Sequence, residues 1–426
     1  MSWLRITIAS LLFCALNCAA VAQQTGTFID RVRTTDLRVV SYNVLWDTIF
    51  PEVSATQSAK FARVVNALNP DILNLQEIDF FDDSLTFTAT DVRDLMNSIM
   101  PLPGGASWFA HKGGDNVIVS KYPLTSQRTD TNPRTGRGLA IALVNLPNHQ
   151  FTHDFYVMNN HYKCCGNPGG PEDAQRQQHS DALVSWMHDA RNPNGLITLP
   201  AGTPMAVVGD LNMVGSLNSL NTLLTGDISN EAAFGADSPP DWDGSGLADA
   251  HPLHNLNGPA DFTWSDGPGG YPDGRLDYIL YTDSVATATK KFILNTVTMT
   301  PAQRSATGLQ QLDVTKSNSV TDFDHLPLVV DFRLASPQLP GDYNYDGLVD
   351  ALDYQVWKSA LGTNLGDADG NGNNIVDAAD YTIWRDHFTG PGSGASASAG
   401  VPEPGSILLL LGILAVVSAG GARLSR

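Results

Sequence analysis

Six short polar clusters carrying carboxylate, amide or imidazole side chains lie along the chain, each at or just beyond the end of an apolar run. Asn43 closes Ser41-Tyr42-Asn43-Val44, and Gln76-Glu77 follow the run from Asp71 to Leu75. His161 follows Asn159-Asn160, Asp210 and Asn212 sit in Gly209-Asp210-Leu211-Asn212, Asp277 sits in Arg275-Leu276-Asp277-Tyr278, and Asp324-His325 precede the last run. Oxygen donors suit a hard divalent cation, and imidazoles beside carboxylates suit contact with phosphate oxygens. Cleaving a phosphate ester needs a nucleophilic water, a cation against the phosphoryl oxygens, and a proton or charge for the leaving oxygen. Taken singly, each residue has a structural alternative: Asn43 as a turn former, Glu77 as a solvated loop carboxylate, Asp210 as a turn cap, Asp277 as a partner for Arg275.

Something must hold these groups at one place, and the apolar pattern between them supplies it. Strand candidates are Leu37 to Val44, Asp71 to Leu75, Val117 to Val119, Leu139 to Val144, Phe155 to Met158, Met205 to Val208, Leu276 to Leu280 and Leu326 to Phe332. One helix shows Phe61, Val64, Val65 and Leu68 on a single face, and another carries Leu183, Val184 and Met187. Many short strands with fewer amphipathic helices predict an α/β sandwich rather than a bundle.

In this order the six clusters resemble the endonuclease/exonuclease/phosphatase superfamily, the deoxyribonuclease-I-like fold, over essentially residues 35 to 333, with the catalytic region placed at 31–335. The resemblance implies a four-layer sandwich of two mixed β-sheets flanked by helices, and hydrolysis assisted by Mg²⁺ or Mn²⁺. It implies Glu77 as first metal ligand with Asn43 and Asp324 beside it, and Asp210 as the group that orients or deprotonates the water, its geometry fixed by Asn212. His325 would meet the scissile phosphate as imidazolium with Asp277 holding its ring, and His161 would be a second phosphate contact or the general acid. Asn116, Arg137 and Lys163 are further candidates for phosphate contact, with plain surface solvation as the alternative for Lys163. The Gly/Pro segment from Gly166 to Pro171 reads as a rim loop.

Composition narrows the substrate less than the motif does. The 426 residues are 42% hydrophobic, enough for a core, while 38 Gly and 25 Pro exclude a coiled coil. Net charge is −19, and residues 24 to 336 alone hold 34 carboxylates against 20 lysines and arginines, a balance of −14. Such a surface repels polyanions unless cations bridge, so affinity for nucleic acid is expected to be weak and salt-sensitive. The leading expectation is a secreted divalent-metal phosphodiesterase acting as a nuclease. The alternatives are a phosphomonoesterase or sphingomyelinase-type lipid phosphodiesterase, and an inactive surface scaffold.

Further modules flank this region. Between Pro340 and the linker at 389–400 a segment recurs 27 residues on: Asp342, Asn344, Asp346, Gly347, Asp350 and Asp353, then Asp369, Asn371, Asn373, Asn374, Asp377 and Asp380. Both copies carry the oxygen-ligand spacing of an EF-hand loop, and matching Tyr354/Trp357 and Tyr381/Trp384 follow. The pair resembles a type I dockerin over 341–388, which implies two structural Ca²⁺ sites, a small all-α module and a cohesin-like partner. Residues 1–22 have the order of a signal peptide ending Ala20-Val21-Ala22. Val401-Pro402-Glu403-Pro404, the apolar stretch Ser406 to Ala422 and Arg423/Arg426 resemble a PEP-CTERM sorting signal over 401–426. That resemblance implies a membrane anchor before processing by an exosortase-type enzyme, and a final place in the cell envelope, cell surface or extracellular matrix.

Overall fold

A computed structural model describes residues 25–79, 85–129, 138–148, 150–267, 270–314, 322–336, 339–363, 366–373 and 375–389. The signal-peptide, sorting-tail and Arg137 expectations, and all but the first residue of the 389–400 linker, lie outside them. Among the described residues no helix is long and apolar enough to cross a membrane. The chain divides into two compact units, 1–335 and 336–426.

In chain order the first unit contains β1 (Leu37–Asn43), α1 (Pro51–Leu68), β2 (Ile72–Gln76), α2 (Ala89–Ile99), β3 (Phe109–Gly113), β4 (Asn116–Ser120), β5 (Leu124–Arg128), β6 (Leu139–Val144) and β7 (Phe155–His161). It continues with α3 (Pro171–Arg191), β8 (Met205–Asp210), α4 (Asn218–Thr225), α5 (Glu231–Phe234), β9 (Ala248–Asp249), β10 (Asp277–Tyr281), β11 (Ala286–Ile293), α6 (Pro301–Thr307) and β12 (Leu328–Leu334). The strands form two six-stranded sheets, ordered β11-β12-β1-β2-β4-β3 and β5-β6-β7-β8-β10-β9. Each is mixed: β1–β2 and β7–β8 are parallel, bridged by α1 and α3, and the other pairings are antiparallel.

Period-two alternation sorts the core into layers. In the second sheet Ala140, Ala142, Val157, Ala206, Val208 and Ile279 join the core between the sheets, while Ile141, Tyr156, Met158, Val207 and Leu280 pack with Leu183, Val184 and Met187 of α3. On the first sheet, α1 inserts Phe61, Val64, Val65 and Leu68 into the main core. Pro51 starts α1, and Asn69 ends it in the left-handed region at φ 47, its N–H donating to Val65 O at 2.8 Å. The result is two mixed sheets flanked by helices.

Two polar devices lock this frame. Gln76 Nε2 donates to Asn159 Oδ1 at 2.6 Å, and Asn159 Nδ2 donates to Leu75 O at 2.9 Å and Val117 O at 3.1 Å, tying the sheets together. Register places Arg38 opposite Asp331, and the buried guanidinium donates to both carboxylate oxygens at 2.6 and 2.8 Å and to Leu68 O and Ile29 O, each at 2.7 Å. It thereby satisfies a carbonyl at the end of α1 as well as the charge.

In the second unit, α7 (Ala351–Ala360) and α8 (Ala378–His387) repeat one another. Asp350 caps the first and Asp377 the second, each in a capping box closed by Asp353 or Asp380. Trp357 Nε1 donates to Asp377 O at 2.8 Å, and Trp384 Nε1 to Asp350 O at 2.7 Å, so the two copies clasp each other by equivalent bonds. Their rings pack with Tyr354 and Tyr381, with Val349 and Val376 in the same small core.

Candidate active site

The strand ends explain why distant residues meet. Asn43, His161 and Asp210 are the last residues of β1, β7 and β8, and Glu77 is the first residue past β2. Parallel pairing puts β1 beside β2 and β7 beside β8, so these four ends point the same way. Antiparallel neighbours return from that end: Asp277 begins β10 opposite Asp210, Asn116 begins β4, and Asp324-His325 lead into β12. Sheets that carry parallel pairs commonly bind ligands outside those strand ends.

Asp210 lies at the centre. Its Oδ2 accepts from Asn43 Nδ2 at 3.2 Å and stands 3.5 Å from His161 Nε2 and 3.7 Å from His325 Nε2. Its Oδ1 accepts from Asn212 N at 3.0 Å, and Asn212, left-handed at φ 46, donates its amide to Tyr162 O at 3.2 Å. Each imidazole has its own carboxylate: His325 Nδ1 lies 2.7 Å from Asp277 Oδ2, and His161 Nδ1 lies 2.6 Å from Asp115 Oδ2. Those bonds turn each Nε2 toward Asp210, so two carboxylate-held rings approach it. Asp115 was not among the residues singled out from sequence; its neighbour Asn116 was, and only the register of β4 beside β2 reveals that the pair belongs to the site.

Glu77 is left-handed at φ 69, a conformation that costs a non-glycine residue energy and is found where structure over-determines it. Its Oε1 accepts from Asn43 Nδ2 at 3.1 Å, whereas its Oε2 is buried without a hydrogen-bond partner. Asn43 uses its nitrogen on the two carboxylates and its oxygen on Leu45 N at 3.2 Å, so in this orientation it bridges Glu77 and Asp210. Asp324 accepts from Trp264 Nε1 at 3.1 Å. Asn116 turns its amide hydrogens to Gly113 O, Gly138 O and Asp115 Oδ1, bracing the start of its strand, while its Oδ1 is buried without a hydrogen-bond partner. Lys163 is half-buried on the rim, its carbonyl held by the buried Arg176 of α3 at 2.8 Å.

Burial and charge set the protonation states. Burial raises the Glu77 carboxyl above its usual range, opposed by His161 and the Asn43 bond. Burial likewise raises Asp210, with His325 opposing and Asp277 adding to the rise. For His325 burial disfavours the cation, but Asp277 and Asp210 together outweigh it and hold the ring well above its ordinary value. The site therefore keeps an imidazolium beside a carboxylate with a raised proton affinity, which is an arrangement for holding phosphate and moving a proton.

Residues 40–297 match the family described as Endonuclease/Exonuclease/phosphatase family. The chain belongs to that family. No curated protein matches it. Among solved structures similar to this endonuclease/exonuclease/phosphatase-family chain are truncated TDP2 of Caenorhabditis elegans, at 15% identity, 72% coverage of this chain and 100% of that one, with TM-score 0.45. Another is the human nocturnin catalytic domain with bound sulfate, at 16%, 72% and 97%, TM-score 0.40. A mannosyl-6-phosphatase of Bacteroides thetaiotaomicron matches at 16%, 70% and 100%, TM-score 0.41.

The family's hydrolytic chemistry agrees with the donor set. The unpartnered Glu77 oxygen and the neighbouring carboxylates are hard ligands of the sort Mg²⁺ or Mn²⁺ takes. Among the described residues no three or more His, Cys, Asp or Glu form a metal cage. An ion that keeps waters and substrate oxygens in its shell uses only one or two carboxylates.

Proposed function

We propose that the chain is an exported, divalent-metal-dependent phosphodiesterase whose substrate is nucleic acid. The observation that carries this reading is the convergence of two carboxylate-held imidazoles on Asp210, beside a buried Glu77 oxygen without a partner. A bound Mg²⁺ or Mn²⁺ would be held by Glu77 with Asp324 near it, and would offset charge on the phosphoryl oxygens. His325, kept as imidazolium by Asp277, draws a phosphate oxygen toward its Nε2. Asp210 orients the attacking water and takes its proton, and Asn212 and Asn43 fix the carboxylate in place. His161, steadied by Asp115, meets a second phosphate oxygen or protonates the leaving oxygen.

The test is hydrolysis by the purified full chain with Mg²⁺ or Mn²⁺ on DNA, RNA, bis-p-nitrophenyl phosphate, p-nitrophenyl phosphate and sphingomyelin, with an EDTA control. Diester and nucleic-acid cleavage abolished by EDTA is expected. Exclusive monoester or sphingomyelin hydrolysis would move the reading to the phosphomonoesterase or lipid phosphodiesterase alternative, and silence on all five to a scaffold.

The proposal extends to the second unit as a dockerin-like module binding two Ca²⁺ and a cohesin-like partner. Its support is the duplicated loop: Asp346 N donates to Asp342 Oδ1 and Asn344 Oδ1 at 3.1 and 2.8 Å, as Asn373 N does to Asp369 Oδ1 and Asn371 Oδ1 at 3.1 and 3.0 Å. Burial and Asp342 push the Asp353 carboxyl up to about 6, against the bonds it accepts from Asp350, Asn344 and Tyr343, so crowded carboxylates there lack compensating charge. Adding Ca²⁺ to the full chain is expected to slow amide exchange across 341–389 at least about 10-fold. Unchanged exchange would defeat the calcium assignment. Export by the leader and processing of the C-terminal signal complete the proposed life history of the protein.

A further inference from the structure

The bond between Asp277 and His325 spans the two sheets, since Asp277 opens β10 of the second and His325 leads into β12 of the first. At that end β10 has lost its edge neighbour, because β9 meets it at Leu280 and Tyr281, well past Asp277. The strip 263–265 takes the place, and its middle residue Trp264 bridges both Gly274 and His325. Thr263 Oγ1 accepts from Leu276 N at 3.0 Å and Asp277 N at 2.9 Å, its N donates to Gly274 O at 2.9 Å, and its O accepts from Leu326 N at 2.7 Å. Two residues on, Ser265 N donates to Asp324 O at 2.9 Å. The hydrogen bonds of Thr263 therefore end on the backbone that carries the carboxylate and on the backbone beside the imidazole.

A residue that merely filled this spot would be apolar, because Thr263 is 0% exposed and valine offers its shape without a hydroxyl. The hydroxyl has a task of its own. In a regular strand successive N–H groups point to opposite sides, whereas those of Leu276 and Asp277 converge on one oxygen and bend the chain where the carboxylate leaves it. Successive N–H groups curled in this way form a concavity for an acceptor, which Thr263 fills from inside the protein. The side chain of Asp277 has little else to aim it: Oδ2 is spent on His325, and Oδ1 is buried without a hydrogen-bond partner. We propose that Thr263 is the positioning residue of the Asp277–His325 pair, its hydroxyl and carbonyl fixing the two backbones between which the carboxylate–imidazole bond forms. This role rests on the phosphodiesterase reading above, whose imidazolium it serves.

The experiment measures hydrolysis of bis-p-nitrophenyl phosphate at saturating Mg²⁺ by the full-length protein, Thr263→Val, Thr263→Ser, His325→Ala and the Thr263→Val/His325→Ala double variant. Thr263→Val should lower kcat by about 10- to 100-fold with KM within about 3-fold, the size of effect that losing an outer support or misplacing a catalytic group by an ångström produces. Thr263→Ser keeps the oxygen and should recover kcat to within about 3-fold of wild type. With the imidazole gone there is nothing left to position, so Thr263→Val should change the residual His325→Ala rate by less than about 3-fold. Equal losses in both backgrounds would mark a general structural role and overturn the proposal, as would a Thr263→Val enzyme with wild-type kcat. Thr263→Ala repeats the deletion with a smaller side chain should the valine variant not fold; if neither folds while Thr263→Ser does, the hydroxyl serves folding and the positioning role falls. A wild type that hydrolyses no phosphate ester defeats the phosphodiesterase reading itself and takes the role with it. One that cleaves only p-nitrophenyl phosphate defeats the diester assignment, and the same cycle on that monoester then decides the role of Thr263.

Discussion

Replacing His325 by alanine is expected to lower kcat/KM on a diester by about 10³-fold or more, and Glu77→Gln to do the same at nearly unchanged volume. Electrostatic stabilisation lost from a preorganised site commonly costs about 10²–10³ in rate, and loss of the metal ligand removes cation binding as well. The two variants should fail differently. Glu77→Gln should lose its response to added Mg²⁺, whereas His325→Ala should keep a metal response at low rate. Stability separates them too, because removing the ring leaves Asp277 buried without its 2.7 Å partner, at a cost of about 1–3 kcal/mol. Steady-state kinetics with a metal titration and a melting curve make the comparison. Activity within about 10-fold of wild type in either variant would dismantle the site assignment.

The second large effect concerns stability. Arg38→Met or Asp331→Ala should each destabilise the first unit by about 3–5 kcal/mol, since either leaves an uncompensated buried charge. Arg38 and Asp331 are 2% and 0% exposed, so water cannot take over the lost contacts. Loss of the guanidinium also strands the carbonyls of Leu68 and Ile29. The double replacement Arg38→Met/Asp331→Leu should be milder than the sum of the two single changes, because a buried pair exchanged for packed apolar groups is often neutral. Denaturant titration measures all three. Single variants that cost less than about 1 kcal/mol would show that the pair is solvated in solution.

What sequence could and could not reveal follows from burial. The eight strand candidates correspond to β1, β2, β4, β6, β7, β8, β10 and β12, all interior to their sheets. The four strands it did not single out, β3, β5, β9 and β11, are the four sheet edges. An edge strand such as β5, Leu-Thr-Ser-Gln-Arg, shows solvent most of its length and needs no apolar run, so its pattern is that of a loop. The candidate site residues stood out for the opposite reason: polar groups directly after buried apolar runs have no packing role to fill. Asp115 escaped because it precedes an interior strand by one residue and meets the site through its bond to His161, a relation set only by how the two sheets pack on each other.

The bond from Gln76 to Asn159 joins the sheets one residue short of Glu77 and two short of His161. Half the reacting groups ride on one slab and half on the other, with that amide pair as the pin between them. A slip of an ångström along the interface would part Asn43, Glu77 and His325 from Asp210, Asp277 and His161 long before any strand frayed. Hydrolysis at this site is therefore expected to act as a vernier for the alignment of the two sheets, with mild denaturation silencing it while nearly all the backbone order survives.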